Sequence, residues 1–224
     1  MDEVHINNIA TYIDHTFLKP TATLADIKKI CDEAIEYHFV AVCIPPLYVK
    51  KATEFLKESG VKVATVVGFP FGYSAIEAKV AELVLAIIDG VDELDVVINI
   101  SAIKNADWQF LGNEINTIMP IAKNKNKVVK IIIESGVLTD TEIITCCDIY
   151  GAAEVDFLKT STGYAEKGAS VEAVKLIRAH LANNIKIKAS GGIKTYQFAK
   201  ELISAGASRL GCSNSIQVVK ESHL

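Results

Sequence analysis

The sequence has no uninterrupted apolar run approaching the roughly 18 residues that a membrane-spanning helix requires. Its first 14 residues carry acidic side chains before any lysine, and they lack the apolar segment of a secretory signal. These two absences predict a soluble protein with no membrane partner.

Signals for metal, redox and nucleic-acid binding are also scarce. The five cysteines are odd in number and none belongs to a Cys-x-x-Cys pair, so we expect free thiols, a cytoplasmic location, and no metal or other cofactor. The net charge is -4, and the densest basic cluster is four lysines within residues 123–130. We interpret that cluster as a solvated loop and the start of a strand. Because binding to a phosphate backbone needs a broad positive patch, we expect no nucleic-acid partner.

The remaining composition is that of a globular enzyme. Of the 224 residues, 50% are hydrophobic and 22% are charged, and this length suits one domain spanning residues 1–224. Residues 24–37 place apolar side chains at the i, i+3, i+4, i+7 spacing of an amphipathic helix. Thr23 and Asp26 resemble a capping box at its start.

Helical periods alternate with short runs rich in valine and isoleucine along the whole chain, as in repeated βα units. Eight strands, each followed by a helix, predict a closed (β/α)8 TIM barrel rather than an open sheet. Glycines 60, 90, 151 and 206 are expected to close helices. The predicted strands are 13–16, 39–44, 61–67, 94–99, 128–134, 155–160, 185–189 and 208–211, and the predicted helices are 24–37, 46–58, 75–88, 107–123, 140–150, 171–181, 195–205 and 214–221.

Active sites of such barrels lie at the carboxyl ends of the strands, where this chain carries many polar residues. Lys159 and Lys188 each end an apolar strand, and Asp95 lies on an earlier predicted strand, 94–99. A buried ammonium must be paired or lose its proton, and a neutral amine can attack a carbonyl. The alternative, equally open at this point, is a lumen whose lysines only neutralise Asp95 and Glu134.

Two of the segments resemble motifs of the deoxyribose-phosphate aldolase family. DFLKTSTGY (156–164) resembles the motif of its Schiff-base lysine, and KASGGIKT (188–195) resembles its second-lysine and phosphate-loop motif. Five further blocks follow the family order over nearly the whole chain: IDHTFLKP (13–20), AVCIPP (41–46), VGFPFG (67–72), DELDVVIN (92–99) and RLGCSNS (209–215).

The resemblance implies a metal-free, reversible cleavage of 2-deoxy-D-ribose 5-phosphate to acetaldehyde and D-glyceraldehyde 3-phosphate. It makes Lys159 the nucleophile, with Lys188 depressing its pKa and Asp95 moving protons. The glycines and the polar start of the last helix also suit an anion. By the resemblance, the substrate-binding residues are Asp14, Thr16, Cys43, Thr160 and Thr162, and the phosphate-binding residues are Gly163, Gly191, Gly192, Lys194, Ser213 and Asn214.

Some positions depart from the family pattern or carry competing interpretations. Lys194 stands where arginine is common, Tyr164 where phenylalanine or lysine is common, and Lys186 where a small residue is usual. Cys43 could line the substrate pocket, but a cysteine in a strand is more often part of the core, so we assign it no chemical step. We leave His15 out, because Asp14 and Thr16 are the pair expected to face the pocket.

Two other functions remain open from the residues alone. One is another lysine-dependent barrel aldolase, such as a transaldolase or a keto-acid aldolase, which a substrate panel would distinguish. The other is a phosphosugar-binding barrel without turnover, for which a missing catalytic lysine would be the signature. The expected partners are small phosphosugars and aldehydes, and the sequence leaves open whether the chain forms a homo-oligomer.

Overall fold

Eight parallel strands pair in chain order and close, the first against the last, into a barrel. The computed structural model describes residues 6 and 8–222. The predicted (β/α)8 TIM barrel is thus confirmed. The strands are β1 (Ile13–Thr16), β2 (Ala41–Ile44), β3 (Lys62–Val67), β4 (Glu93–Val97), β5 (Val128–Ile132), β6 (Phe157–Lys159), β7 (Lys186–Ser190) and β8 (Arg209–Cys212).

The helices surround the barrel and follow the predicted order. Thr23 and Asp26 form the expected capping box at the start of the first helix. The helices are α1 (Leu24–Glu36), α2 (Val49–Phe55), α3 (Ile76–Ile88), α4 (Ile100–Lys104), α5 (Trp108–Lys123), α6 (Asp140–Ala152), α7 (Val171–His180), α8 (Tyr196–Ser204) and α9 (Ser215–Glu221).

Three local expectations differ from the structure. The short helix α4 was not predicted, because five residues are too few to show a helical period. The helix predicted over 46–58 begins as a 3-10 turn, Pro46–Tyr48, before α2. Gly151 does not close a helix: it lies inside α6, and Glu154 after the helix has the positive φ of 51°. Glycines 60, 90 and 206 do adopt positive φ, as expected.

The strands separate an apolar shell from a charged lumen. Because side chains alternate along a strand, Val42, Leu94 and Ile131 point outward into one large core formed with the helices. Inside the barrel, Cys43, Ala64 and Val66 form a separate small apolar cluster. The polar residues that define the site therefore stand on the lumen-facing positions. In the described part of the chain, no helix is long and apolar enough to cross a membrane.

Candidate active site

Lys159 ends β6 with its side chain inside the barrel, and only 2% of the residue is exposed. Its Nζ lies 2.7 Å from Oδ2 of Asp95, which β4 supplies. The same carboxylate oxygen accepts a second hydrogen bond of 2.7 Å, from Nζ of Lys188. Lys188 is the register partner of Lys159 on β7. The three predicted catalytic residues are therefore joined through one carboxylate oxygen.

The two lysines have different surroundings. Lys188 is fully buried and also donates to Oδ2 of Asp14, so it stands between two carboxylates. Within the described chain, Lys159 has Asp95 as its one carboxylate at ion-pair distance. Lys188 is thus paired on two sides, whereas Lys159 is paired on one side and lines a cavity on the other.

The pKa values of the two lysines follow from this difference. Burial lowers the pKa of Lys159, and the charge of Lys188 adds to that effect, while Asp95 opposes it only in part. Burial also acts against the charge of Lys188, but Asp14 and Asp95 outweigh it and raise the pKa of Lys188. Burial likewise opposes ionisation of Asp95, yet the adjacent lysines hold the pKa of its carboxyl well below the usual range. This arrangement favours a neutral amine on Lys159 beside a fixed ammonium and a fixed carboxylate.

A cavity of about 240 Å³ opens above Lys159 at the carboxyl ends of the strands. This volume lies below the ~300–1,000 Å³ of pockets for drug-sized ligands, so it suits a small metabolite. The cavity brings together eight of the predicted site residues: Thr16, Lys159, Thr162, Gly163, Gly191, Gly192, Lys194 and Ser213.

The three glycines of the cavity wall have positive φ, of 87° at Gly163, 88° at Gly191 and 79° at Gly192. Their surroundings differ. A Cβ added at Gly191 would lie 3.0 Å from the Cα of Gly168, whereas one at Gly192 would meet no atom of the described residues within 4 Å. Gly191 therefore permits close packing of two loops, and Gly192 leaves its backbone open to a ligand.

Several predicted residues lie outside the cavity lining. Asp14 is buried beneath it as a partner of Lys188, and Cys43 packs against Ala64 and Val66. The Thr160 hydroxyl contacts the backbone of Ser190 instead of the cavity. Asp14, Cys43 and Thr160 therefore do not border the cavity, and their contact with the substrate stays a prediction. Asn214 also lies outside the lining and precedes α9 as its N-cap.

The interpretation of residues 123–130 as a solvated cluster is wrong at its last lysine. Lys130 is fully buried in the lumen, where its Nζ lies 2.8 Å from Oδ1 of Asp95 and also pairs with Glu93. Arg209 on β8 completes this lower network by contacting Asp14 and Glu93. Because side chains alternate along a strand, Lys130 lies on the same face as Ile132, which is the lumen face. The three lysines before it made the whole segment resemble a solvated loop.

Two further residues contact the loop after β6 or belong to it, and neither was assigned a role from the sequence. Glu134 follows β5 with a φ of 54°, and its carboxylate accepts hydrogen bonds from the backbone N–H and the hydroxyl of Thr162. Tyr164 reaches across the mouth, donating its hydroxyl to the carbonyl of Leu18 at 2.8 Å and packing edge-on against Phe69. Both residues hold the loop after β6 over Lys159.

The arrangement has counterparts in known proteins. A family model described as DeoC/LacD family aldolase matches residues 8–213. The chain belongs to this family. It is 51% identical to a deoxyribose-phosphate aldolase of Caldicellulosiruptor saccharolyticus, over 95% of this chain and 97% of the relative. It is 48% identical to one of Caldanaerobacter subterraneus subsp. tengcongensis, over 98% of this chain and 95% of the relative.

A solved structure described as the unique tetrameric structure of deoxyribose phosphate aldolase from Aeropyrum pernix superposes with a TM-score of 0.90. It is 31% identical and covers 96% of this chain and 91% of its own. The resemblance seen in the sequence motifs is thus confirmed as membership of the aldolase family. In this aldolase, His15 faces away from the lumen and contacts Ser215 and Glu33, which agrees with its omission from the site.

Proposed function

We propose that this aldolase reversibly cleaves 2-deoxy-D-ribose 5-phosphate to acetaldehyde and D-glyceraldehyde 3-phosphate through a Schiff base on Lys159. The observation that carries the proposal is one buried amine that borders the cavity beside a carboxylate already paired with a second lysine. The names of the relatives support the choice of substrate.

The proposed reaction begins when the neutral amine of Lys159 attacks C1 of the open-chain sugar. Proton transfers and loss of water convert the carbinolamine into an iminium. A base removes the proton of the C3 hydroxyl, the C2–C3 bond breaks, and its electron pair moves into the iminium to give an enamine. D-Glyceraldehyde 3-phosphate leaves, the enamine carbon takes up a proton, and water releases acetaldehyde with return of the amine.

Asp95 and Lys188 are assigned the proton transfers around Lys159. Lys188 stays charged between two carboxylates and keeps Asp95 in place, while Asp95 reaches Nζ of Lys159 directly. A water molecule in the cavity would extend this relay to the carbinolamine oxygen and the enamine carbon. Thr162, held by Glu134, is assigned to the hydroxyl groups of the sugar.

The phosphate is assigned to the side of the cavity formed by the loops after β6, β7 and β8. Backbone N–H groups of Gly163, Gly191 and Gly192 suit an anion there, and Lys194 and Ser213 also line this side. Lys19, to which no role was assigned from the sequence, lines the cavity as well and adds a second ammonium to that of Lys194. This position matches the usual phosphate site of the fold.

Borohydride reduction in the presence of acetaldehyde, followed by peptide mass spectrometry, tests the assignment of the nucleophile. We expect an N-ethyl adduct on Lys159, because only a neutral amine in the cavity forms the iminium that hydride reduces to a stable secondary amine. An adduct on Lys188 would overturn the roles given to the two lysines. A donor panel of acetaldehyde, dihydroxyacetone and pyruvate separates this activity from transaldolase and keto-acid aldolase activities.

We also propose a homo-oligomer in the cytoplasm. The described cysteines are all free and buried, which supports a reducing compartment.

On the outer face of α3, Leu85 is 62% and Ile88 is 73% exposed, an apolar surface suited to a second copy. The relative from Aeropyrum pernix is described as tetrameric. Light scattering of the wild type and of Leu85→Lys tests this proposal: a monomer for both would contradict it.

A further inference from the structure

Beneath Lys159, the lumen contains an ionic network that no substrate in the cavity would touch. Arg209 donates to Oδ1 of Asp14 at 2.6 Å and approaches Oε2 of Glu93 at 3.1 Å. Glu93 in turn pairs with Lys130. Two routes of ion pairs therefore lead from Arg209 to Asp95 and Lys159: one runs through Asp14 and Lys188, and the other runs through Glu93 and Lys130.

The charges of this network are unequal in number. Over the described residues, the ion pairs around Asp95 and Asp14 join four basic groups to only three carboxylates. The basic groups are Lys130, Lys159, Lys188 and Arg209, and the carboxylates are Asp14, Glu93 and Asp95. Since a net charge buried in the lumen is costly, the network balances when one of the four basic groups is neutral.

The contacts select which basic group is neutral. Lys130, Lys188 and Arg209 each pair with at least two carboxylates. Among the residues that the structure describes, Lys159 pairs with Asp95 alone, sharing the oxygen that Lys188 also contacts. Lys159 therefore loses the least ion-pairing energy when it gives up its proton.

Other ionisable groups near the lumen leave this count unchanged. Burial raises the pKa of the Cys43 thiol, which keeps it neutral. Glu134 lies near enough to Lys159 to be influenced by its charge, but in the described chain no ion pair joins it to the four basic groups, and burial raises the pKa of its carboxyl. Lys62 and Lys186 are exposed at the opposite end of the barrel, where Lys186 lies over the ring of Phe157.

We propose that Glu93 and Arg209 are positioning residues that set the charge of the lumen and thereby hold Lys159 as the neutral amine. The proposal rests on the proposed role of Lys159 as the Schiff-base residue. Neither residue lines the cavity, so each acts only through its ion-pair partners. Removing the Glu93 carboxylate leaves the lumen one unit more positive, whereas removing the Arg209 guanidinium leaves it one unit more negative. The two changes must shift Lys159 in opposite directions.

The test measures the rate of Schiff-base formation with acetaldehyde, by reductive trapping and mass spectrometry, over roughly pH 5 to 9, which spans the range expected for a depressed lysine. For Glu93→Gln we expect the acid limb of this profile to move to lower pH. For Arg209→Gln we expect it to move to higher pH. Each shift should be about one pH unit, the size expected from a buried unit charge at an effective dielectric constant near 20.

Three variants separate this effect from a loss of structure. Arg209→Lys keeps the charge and should keep the wild-type profile, so it decides the question with Arg209→Gln even if Glu93→Gln does not fold. The double variant Glu93→Gln/Arg209→Gln loses one negative and one positive charge, so the net charge of the lumen is that of the wild type. Its profile should return toward the wild-type profile. Glu114→Gln disrupts a buried ion pair with Lys79 outside the lumen and should leave the profile in place.

Shifts of Glu93→Gln and Arg209→Gln in the same direction, or unshifted profiles in folded variants, would overturn the inference. Trapping of the wild type distinguishes this failure from failure of the proposed function. If the wild-type adduct maps to Lys159 while the profiles coincide, only the role of Glu93 and Arg209 is wrong. If the adduct does not map to Lys159, the proposed function itself is wrong.

Discussion

Lys159 and Lys188 are both lysines on neighbouring strands, yet their surroundings shift their pKa values in opposite directions. The difference comes from the number of carboxylates that each contacts within the described chain, one for Lys159 and two for Lys188. The reaction proposed above would use both states at once, a neutral nucleophile and a lasting positive charge beside it.

At the residue scale, the first prediction concerns Lys188→Leu. Loss of this ammonium removes a cation from beside Lys159 and frees Asp95 and Asp14 to favour protonation of Lys159. We expect kcat to fall by ~10²–10⁴-fold, the range typical of a lost acid–base group, with a smaller change in KM. Steady-state kinetics checks this. A variant with normal kcat and only a raised KM would assign Lys188 to binding.

Lys186→Leu is the matched control for that experiment. Lys186 lies two residues earlier on the same strand and faces the same side of the sheet, but it is exposed and lies over Phe157. The same substitution at this position should leave kcat within about twofold, as expected of a surface change remote from the reacting atoms.

The residues recovered from the sequence share one property: they are polar side chains within apolar strand segments. Lys159 ends β6, whereas Asp95 and Lys188 lie in the middle of β4 and β7, and all three are buried in the lumen. Glu93 and Arg209 begin their strands, where charged residues are usually solvated, and Lys130 follows three other lysines. Alternation along the strand could have placed Lys130 on the lumen face, but the contact of Lys130 and Arg209 with Glu93 depends on closure of the sheet and has no sign in the sequence.

At the scale of elements, the loops after β6 and β7 form the proposed phosphate side of the cavity. Their conformations depend on glycines of two kinds. Gly191 is packed against Gly168 and Gly163, so a side chain there would disturb the loops themselves. Gly192 has open space at its Cβ position and tests the ligand contact more cleanly. The sequence pattern alone does not separate these two neighbours.

For Gly192→Ala we expect a roughly tenfold to hundredfold loss of kcat/KM for the phosphorylated sugar, because the added Cβ would keep the phosphate away from the backbone N–H, and one lost hydrogen bond to a charged group costs about this much. Unphosphorylated deoxyribose should be affected much less, because it does not contact this loop. Kinetics with both sugars checks this. Equal losses for the two would mean that Gly192 serves the loop rather than the phosphate.

Gly60→Ala is a matched control for backbone strain. Gly60 has a φ of 81°, close to the 79° of Gly192, and its added Cβ would also meet no protein atom within 4 Å. It lies before β3, at the opposite end of the strands from the cavity. Both variants should lose similar stability, on the order of 1 kcal/mol or more, but only Gly192→Ala should discriminate between the sugars.

At the scale of the whole molecule, buried charged side chains lie in the lumen of the barrel, and the main apolar core lies between the strands and the surrounding helices. The repeated βα pattern was enough to predict that architecture, because eight strand–helix units leave few other closed arrangements. The charged lumen also makes the stability of the fold depend on pH, since its carboxylates must stay ionised to balance the lysines.

Asp14 shows the sign of that dependence. Burial would raise the pKa of its carboxyl, but Lys188, Lys130 and Arg209 outweigh burial and lower it from 3.8 to about 2. A carboxyl with a depressed folded-state pKa contributes stability above its unfolded pKa and loses it as pH falls through the folded pKa. The contribution should therefore be complete above about pH 4 to 5 and disappear toward pH 2.

The last prediction is that Asp14→Asn flattens the acid limb of the stability curve. Between about pH 5 and pH 2, the free energy of unfolding should fall by about 2 kcal/mol less in this variant than in the wild type, because one depressed carboxyl no longer takes up a proton on unfolding. Urea unfolding at several pH values measures it. Asp148→Asn, an exposed aspartate on α6, should follow the wild-type curve. Parallel curves for wild type and Asp14→Asn would show that the ionisation of Asp14 is not coupled to folding through the lumen.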